Sequence, residues 1–579
     1  MRYTLICSSS GTGLSRSIEK LVSSDKSPTG VHVDDVERRL CASSALWDEA
    51  AFRGVHPDSR SMADVCSKLP RKAVSQYWRQ ALGASLESLE TVTDRPLGLA
   101  CHLTLFSPHR REFYVPGRPE DFLNLPDGRS CEVCRVVVLI DDIYDMYARL
   151  SMPTEVFSED QQVQNYNDHV KKLSGYSLLD PDTGSPQLLR LEVRRRSLES
   201  LAAWRRAELI QAEVLANALG GVPLTVLGVK HRLSSLETLI HEPRTRVVYV
   251  SHKITEARRH NRNHPGEWPP FVKEVNSLSA PFEESGIVLL HPTAIDELRT
   301  ESSSQLISLT DRWPLQEDVP ERLIYCPPGN NDPPDYKDLF SRYDFETENT
   351  KEQAVAIFRG FELGVFHDIA SRDHLLVSST DGLLLYRPLV VNGEDSGGAR
   401  AEVAHWLQRW MSEPSRPRLV AIHTFDDIDL RLKLLREDER TELARRIKFA
   451  LQEQGFDREQ AKALLEAKSA TSTHLQEIWS KEKLEQEFEN AAGIALVQCF
   501  FSWLCNVQPS KGRLGAMIVA ASSEEELRSI DTVRLVASLL KGDEVNTIAE
   551  TARHITAYAL SRGHETLSGL ARTLVGVGN

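Results

Sequence analysis

No apolar run in this 579-residue chain reaches the roughly 18 to 20 residues that a membrane span requires. The nearest stretch, 214–229, is interrupted by polar residues and predicts a buried helix followed by a strand. The start of the chain also lacks the basic segment and apolar stretch of a secretory signal, since Met1-Arg2 leads directly into the strand-like YTLIC. Cysteine is scarce and unpatterned: nine residues, an odd number, without the even framework of a disulfide-stapled protein. These absences predict a cytoplasmic protein with reduced thiols and no membrane association. Cys131 and Cys134 form the one CxxC, but no second CxxC and no HxxxH stands near it, so no metal site is expected and Cys134 is read as the start of a buried strand. An excess of basic charge is missing too, because 69 Lys+Arg face 83 Asp+Glu for a net charge of −14. Such a surface repels a phosphodiester backbone, which argues against polymeric nucleic acid while leaving small anionic ligands open. No repeat of fixed period and no low-complexity tract is present.

What remains is ordinary globular composition, 41% hydrophobic and 26% charged. At roughly 100 to 200 residues per domain, the length predicts several domains. Residues 1–242 alternate strand and helix: YTLIC, then a small-residue loop and a helix, strands expected at 102–106 and 136–140, and a long amphipathic helix over 188–219. Residues 243–412 open on RVVYVSHKITEARR and contain IVLLHPT. A Pro-rich excursion over 313–350 follows, then a helix over 352–373 and the buried strand GLLLY. Residues 413–579 hold strands at 419–423 and 517–521 among long charged helices, and predict a separate, mostly helical domain whose charged faces are solvated or serve contacts in a homo-oligomer. The fold class is therefore α/β, multidomain.

The loop SSSGTGLSRS after the first strand carries glycines where backbone N–H groups and a helix N-terminus can approach a phosphate. Aligned on GxxxxGK[ST], Ser8 stands at the first glycine, Gly13 at the second, Leu14 at the lysine and Ser15 at the hydroxyl, with Gly11 inside the loop. The lysine is absent, with Arg16 and Lys20 as its nearest replacements. The loop resembles a degenerate phosphate-binding loop of P-loop NTPases or nucleoside-kinase-like proteins. Asp141-Asp142, ending an apolar strand, resembles the metal-binding acidic pair of that class. The resemblance implies ATP with magnesium as the ligand of this region. The plainer alternative is a tight strand-to-helix turn in a Rossmann-like domain.

In the middle region Arg372-Asp373 and Asp381 flank LLVSST, Asp381 opens the strand, and Ser396-Gly-Gly398-Ala-Arg-Ala-Glu402 leads into a helix. In a doubly wound sheet this sequence of elements brings carboxylates to the carboxyl ends of strands. A pair such as Asp373 and Glu402 suits cleavage of a glycosidic C–N bond, one group acting on C1′ and the other protonating the leaving base. Each residue taken singly also reads as a helix cap or a solvated side chain. Lone histidines such as His252, His291 and His367 are read as satisfied polar residues.

The ordered set is similar to the 2′-deoxynucleoside 5′-phosphate N-hydrolases and nucleoside 2′-deoxyribosyltransferases. It consists of Tyr249 on the first strand, then Ile254 and Arg258, then Arg372-Asp373, Asp381, and Ser396-x-Gly398-x-x-x-Glu402. That resemblance implies a Rossmann-like, flavodoxin-like domain with Glu402 as nucleophile and Asp373 as its acid/base partner. It further implies phosphate contacts at Ser396 and Gly398, a sugar and base pocket shaped by Tyr249 and Ile254, and substrate contacts at Arg258 and Asp381. No cofactor is needed for that chemistry. The chain departs from the pattern at Ser251-His252 and Thr255, in the length of the segment between Asp381 and Ser396, and in the excursion over 313–350. The expected function is an N-glycosidase acting on a small nucleotide or NAD-like substrate, regulated by the N-terminal nucleotide-binding domain. A P-loop phosphoryl-transfer enzyme or NTP-driven switch, and a non-catalytic nucleotide-binding scaffold, are the alternatives.

Overall fold

The computed structural model describes residues 1–9, 12, 14–23, 31–53, 55–56, 62–92, 94–107, 112–151, 157–174, 186–252, 270–294, 352–354, 356–357, 372–387, 401–406, 418–424, 427, 436–466, 487, 491, 495, 499, 516–521 and 523–541. The chain divides into two compact units. The first comprises Met1–Thr245 with Arg258–Trp268 and Pro292–Ser379, the second Arg246–Ala257 with Pro269–His291 and Thr380–Asn579. Each is α/β and is built on a five-stranded parallel sheet.

In the first unit the main elements are β1 (Arg2–Ser8), α1 (Leu14–Ser23), β2 (His32–Asp35), α2 (Val36–Ala42), α3 (Met62–Lys68), α4 (Arg71–Glu90) and β3 (Leu97–Cys101). The hairpin strands β4 (Leu105–Ser107) and β5 (Glu112–Tyr114) follow. Then come β6 (Glu132–Ile140), α5 (Ile143–Leu150), α6 (Glu159–Ser174), α7 (Pro186–Ala218), β7 (Leu224–Gly228) and α8 (Leu233–His241). The sheet order is β2-β3-β1-β6-β7. Strand β1 sits in the middle, paired in parallel with β3 and β6, and every residue of it after Arg2 is buried. A strand covered on both faces needs an unbroken apolar run, which is why YTLIC and VVVLI were readable. The strand expected at 102–106 is displaced: β3 ends at Cys101, residues 102–104 turn, and β4 begins at Leu105. The physical reason is that the backbone N–H groups of His102, Leu103 and Thr104 go to buried carboxylates instead of a ladder.

The second unit contains β8 (Arg246–Ser251), β9 (Ile287–Leu290), β10 (Gly382–Tyr386), β11 (Arg418–Thr424) and β12 (Ala516–Ala521), in the order β12-β11-β10-β8-β9. Counted along the chain this is 2-1-3-4-5. Val248, Val250, Leu384, Tyr386, Val420 and Ile422 share one core cluster with Val275, Leu278 and Phe282. Val536, Leu539 and Leu540, from the helix Ile530–Lys541, complete it. Side chains alternate across a strand, so Tyr249 and Leu383 lie on the other face of the sheet. Residues 413–579, expected to form a helical domain of their own, thus supply two of the five strands and part of this core. The described residues 352–354, 356–357 and 372–379, expected in the middle domain, belong instead to the first unit, where Ala354 joins Phe106, Tyr144 and Trp204. Among the described residues no helix is long and apolar enough to cross a membrane.

Candidate functional site

In an open parallel sheet, ligands bind outside the carboxyl ends of the strands, where neighbouring connections leave in opposite directions. In the 2-1-3-4-5 order that point lies between β8 and β10, which pair from Gly382↔Val248 to Leu385↔Ser251. Tyr249 is fully buried on β8, and its phenol donates to Glu402 Oε1 at 2.8 Å. Glu402 is partly buried in the helical segment 401–406, which the buried side chains of Val403 and Trp406 hold to the core. The carboxylate is therefore oriented by a donor rigid in the sheet.

Arg387, the residue after β10, has φ +46°, a conformation that costs energy for a side chain other than glycine. Its N–H donates to the Ile422 carbonyl, and its guanidinium grips Asp427 through Nε and Nη2, both at 2.9 Å. Burial would raise the Asp427 pKa, but the Arg387 contact outweighs it and holds the carboxyl below its usual range.

The remaining predicted residues of this region divide. Asp381 is paired at the amino-terminal edge of the sheet: its carboxylate accepts from Val247 N–H at 2.9 Å and its own N–H donates to the Val247 carbonyl. That is a strand-clamping role at the end of β10 opposite Glu402, not the substrate contact expected. Asp373 belongs to the first compact unit, and its Oδ1 accepts from Arg372 Nη2 at 2.7 Å. Ile254, Arg258, Ser396 and Gly398 lie outside the described residues.

In the first unit the corresponding point lies between β1 and β6. Gly11 and Gly13, and the side chain of Ser15, lie outside the described residues. Leu14, at the position of the loop lysine, is buried in the core, and Ser8 and Ser9 carry buried hydroxyls with no hydrogen-bond partner among the described residues. At the end of β6, Asp141 and Asp142 are both buried. Asp142 caps α5 by accepting from Tyr144 N–H at 2.8 Å. Asp141 Oδ1 accepts from Asp142 N–H at 2.8 Å and from Lys230 Nζ at 3.0 Å, while Oδ2 takes the Arg149 guanidinium. Lys230 also pairs with Asp145. Magnesium asks for carboxylate oxygens at about 2.0–2.1 Å in octahedral array. Here both oxygens are engaged and two cations already neutralise the charge, so the residues present do not fit the metal expected from the acidic pair.

A second buried cluster had no sequence signal. Glu37, in the first turn of α2, accepts from Trp78 Nε1 and His102 N–H, each at 2.9 Å. Glu208 of α7 accepts from the N–H groups of Leu103 and Thr104, each at 2.7 Å, and from the Thr104 hydroxyl at 2.5 Å. His102 Nδ1 contacts the Ser8 carbonyl, which can only accept, so this nitrogen carries a proton. Burial pushes the carboxyl of Glu37 up to about 6 and that of Glu208 up to about 7. Burial alone would lower His102, but Glu37 and Glu208 raise it overall. The cluster ties the end of β3 to the loop after β1.

Fold and site together define an α/β chain with two parallel sheets, each carrying polar groups at its carboxyl edge. Comparison of the chain with family models, with curated proteins and with solved structures returns no match.

Proposed function

We propose that the second unit is an N-glycosidase of flavodoxin-like build that cleaves the C–N bond of a small nucleotide, with Glu402 attacking or stabilising C1′. The observation that carries this reading is the 2.8 Å hydrogen bond from Tyr249, buried on β8 beside β10, to Glu402. An oxocarbenium-like transition state needs a carboxylate fixed against the sugar, and a hydrogen-bond donor anchored in a strand fixes one. Asp381 has no part in the step, since it serves the strand ladder.

The test is incubation of the purified chain with deoxynucleoside and nucleoside mono- and triphosphates and NAD, reading liberated base by chromatography. Base release from at least one of them is expected. Glu402→Ala should abolish it, and Tyr249→Phe should lower it by roughly 10- to 100-fold, the worth of one hydrogen bond to a charged group. Equal release by parent and Glu402→Ala, or none from any substrate, sinks the reading. Asp373→Asn, run alongside, tests the acid/base role that the motif implies. No observation favours phosphoryl transfer by the first unit, where Asp141 is engaged by ion pairs and Asp142 caps α5.

A further inference from the structure

The first unit's strand-end residues support a conclusion independent of the second unit. We propose that Asp141 at the end of β6 is the centre of an ion-pair cluster in which Lys230 and Arg149 take the place of a divalent cation, so that Asp141 does not serve as a metal ligand. Three elements build the cluster. Asp141 leaves β6, Arg149 and Asp145 come from α5, and Lys230 follows β7, the strand paired with β6. Two carboxylates, Asp141 and Asp145, meet two cations, Lys230 and Arg149, so the charges of these four side chains balance. All four side chains are largely buried, which removes the water that would otherwise hydrate and separate the charges. The Asp141 main chain is fixed as well: its carbonyl accepts from the buried Arg205 Nη1 at 2.8 Å.

A metal-binding carboxylate at this place must turn at least one oxygen toward the phosphate loop. Asp141 instead spends Oδ1 on Asp142 N–H and Lys230, and Oδ2 on Arg149. An entering divalent ion would meet an ammonium 3.0 Å from the oxygen it needs and would have to displace it. The lysine position of the loop is the buried Leu14, and the ammonium that meets Asp141 is that of Lys230, more than two hundred residues later in the chain.

The experiment is Mn2+ titration of the full chain followed by electron paramagnetic resonance, with and without ATP, in the parent, Asp141→Asn and Lys230→Met. The parent and Asp141→Asn are expected to bind the same number of Mn2+ ions with the same affinity, whether ATP is present or not. Lys230→Met, which leaves the two carboxylates undercompensated, is expected to gain a Mn2+ ion over the parent. A Mn2+ ion bound by the parent and lost in Asp141→Asn overturns the proposal. Should Asp141→Asn fail to fold by circular dichroism, the comparison of parent with Lys230→Met decides: equal Mn2+ occupancy at the same affinity overturns it as well.

Discussion

At the scale of single residues, the candidate chemistry depends on side chains whose surroundings allow one orientation. Tyr249 reaches Glu402 because strand alternation turns it away from the Val248 and Val250 face. Trp78 shows the same dependence in the first unit. Its ring is wholly buried, its Nε1 is spent on Glu37, and it packs edge-on to Phe122 with centroids 6.0 Å apart. Gly117 lies against that ring so closely that a Cβ there would stand 2.5 Å from it. Gly117→Ala should therefore cost about 1–3 kcal/mol, the usual penalty of overpacking. Urea unfolding measures it, and a variant as stable as the parent would show that the ring gives way. Because Trp78 holds Glu37, that strain also reaches the clamp on His102.

At the scale of elements, the turn after β3 is held by two carboxylates from α2 and α7, each accepting main-chain N–H groups. This has a pH signature. Glu208 and Glu37 have folded pKa values raised by burial to about 7 and about 6 from an unfolded 4.5. A raised pKa contributes stability that is complete below the unfolded value and is lost as pH rises through the folded one. His102, also raised, works in the same direction. The buried His231, lowered to about 4, works against them: its contribution is present above the usual histidine value and is lost as pH falls toward 4. The trends overlap, so the informative quantity is a difference. From about pH 8 to about pH 5 the parent should gain stability relative to Glu208→Gln, by at most about 3 kcal/mol. Thermal unfolding of both proteins across that range checks it, and a difference independent of pH would contradict the assignment.

At the scale of the whole molecule, the second sheet is assembled from distant parts of the chain. β8 and β9 precede residue 291, β10 follows after about ninety more, and β11 and β12 lie beyond 417 and 515. The helix Ile530–Lys541 contributes Val533, Val536, Leu539 and Leu540 to the core beneath β8 and β10. A chain ending at residue 412, which would be tolerated if 413–579 formed a domain of its own, should lose two strands and that helix. The second unit is then expected not to fold, seen as rapid proteolysis after about residue 245 and loss of the Glu402-dependent activity. A truncated protein that resists protease over 246–412 would contradict the shared sheet.

Much of the fold was legible because buried parallel strands are written as continuous apolar runs. YTLIC, VVVLI, GLLLY and LVAIH stand within β1, β6, β10 and β11, and the amphipathic stripe over 188–219 falls on α7. The α/β class follows from those runs and their spacing. What local pattern does not contain is which runs become neighbours and which charges meet. The separate helical domain expected over 413–579 is instead part of the second sheet, because β11 pairs in parallel with β10 of the middle region, as in Leu384↔Val420, and β12 pairs with β11. Asp381 moved from substrate contact to strand clamp because a carboxylate beside an unpaired strand N–H, here that of Val247, bonds to it. Lys230, Arg149, Glu37, His102 and Glu208 carried no motif, since their roles arise when chain segments far apart close around a water-poor strand end. The sequence by itself determined which segments are buried and of what kind they are, because burial and backbone period are local properties of side chains. The tertiary structure alone settles which carboxylates are neutralised, which are clamped to main chain and which, like Glu402, accept from a buried phenol, because ion pairing depends on distance in space and not along the chain.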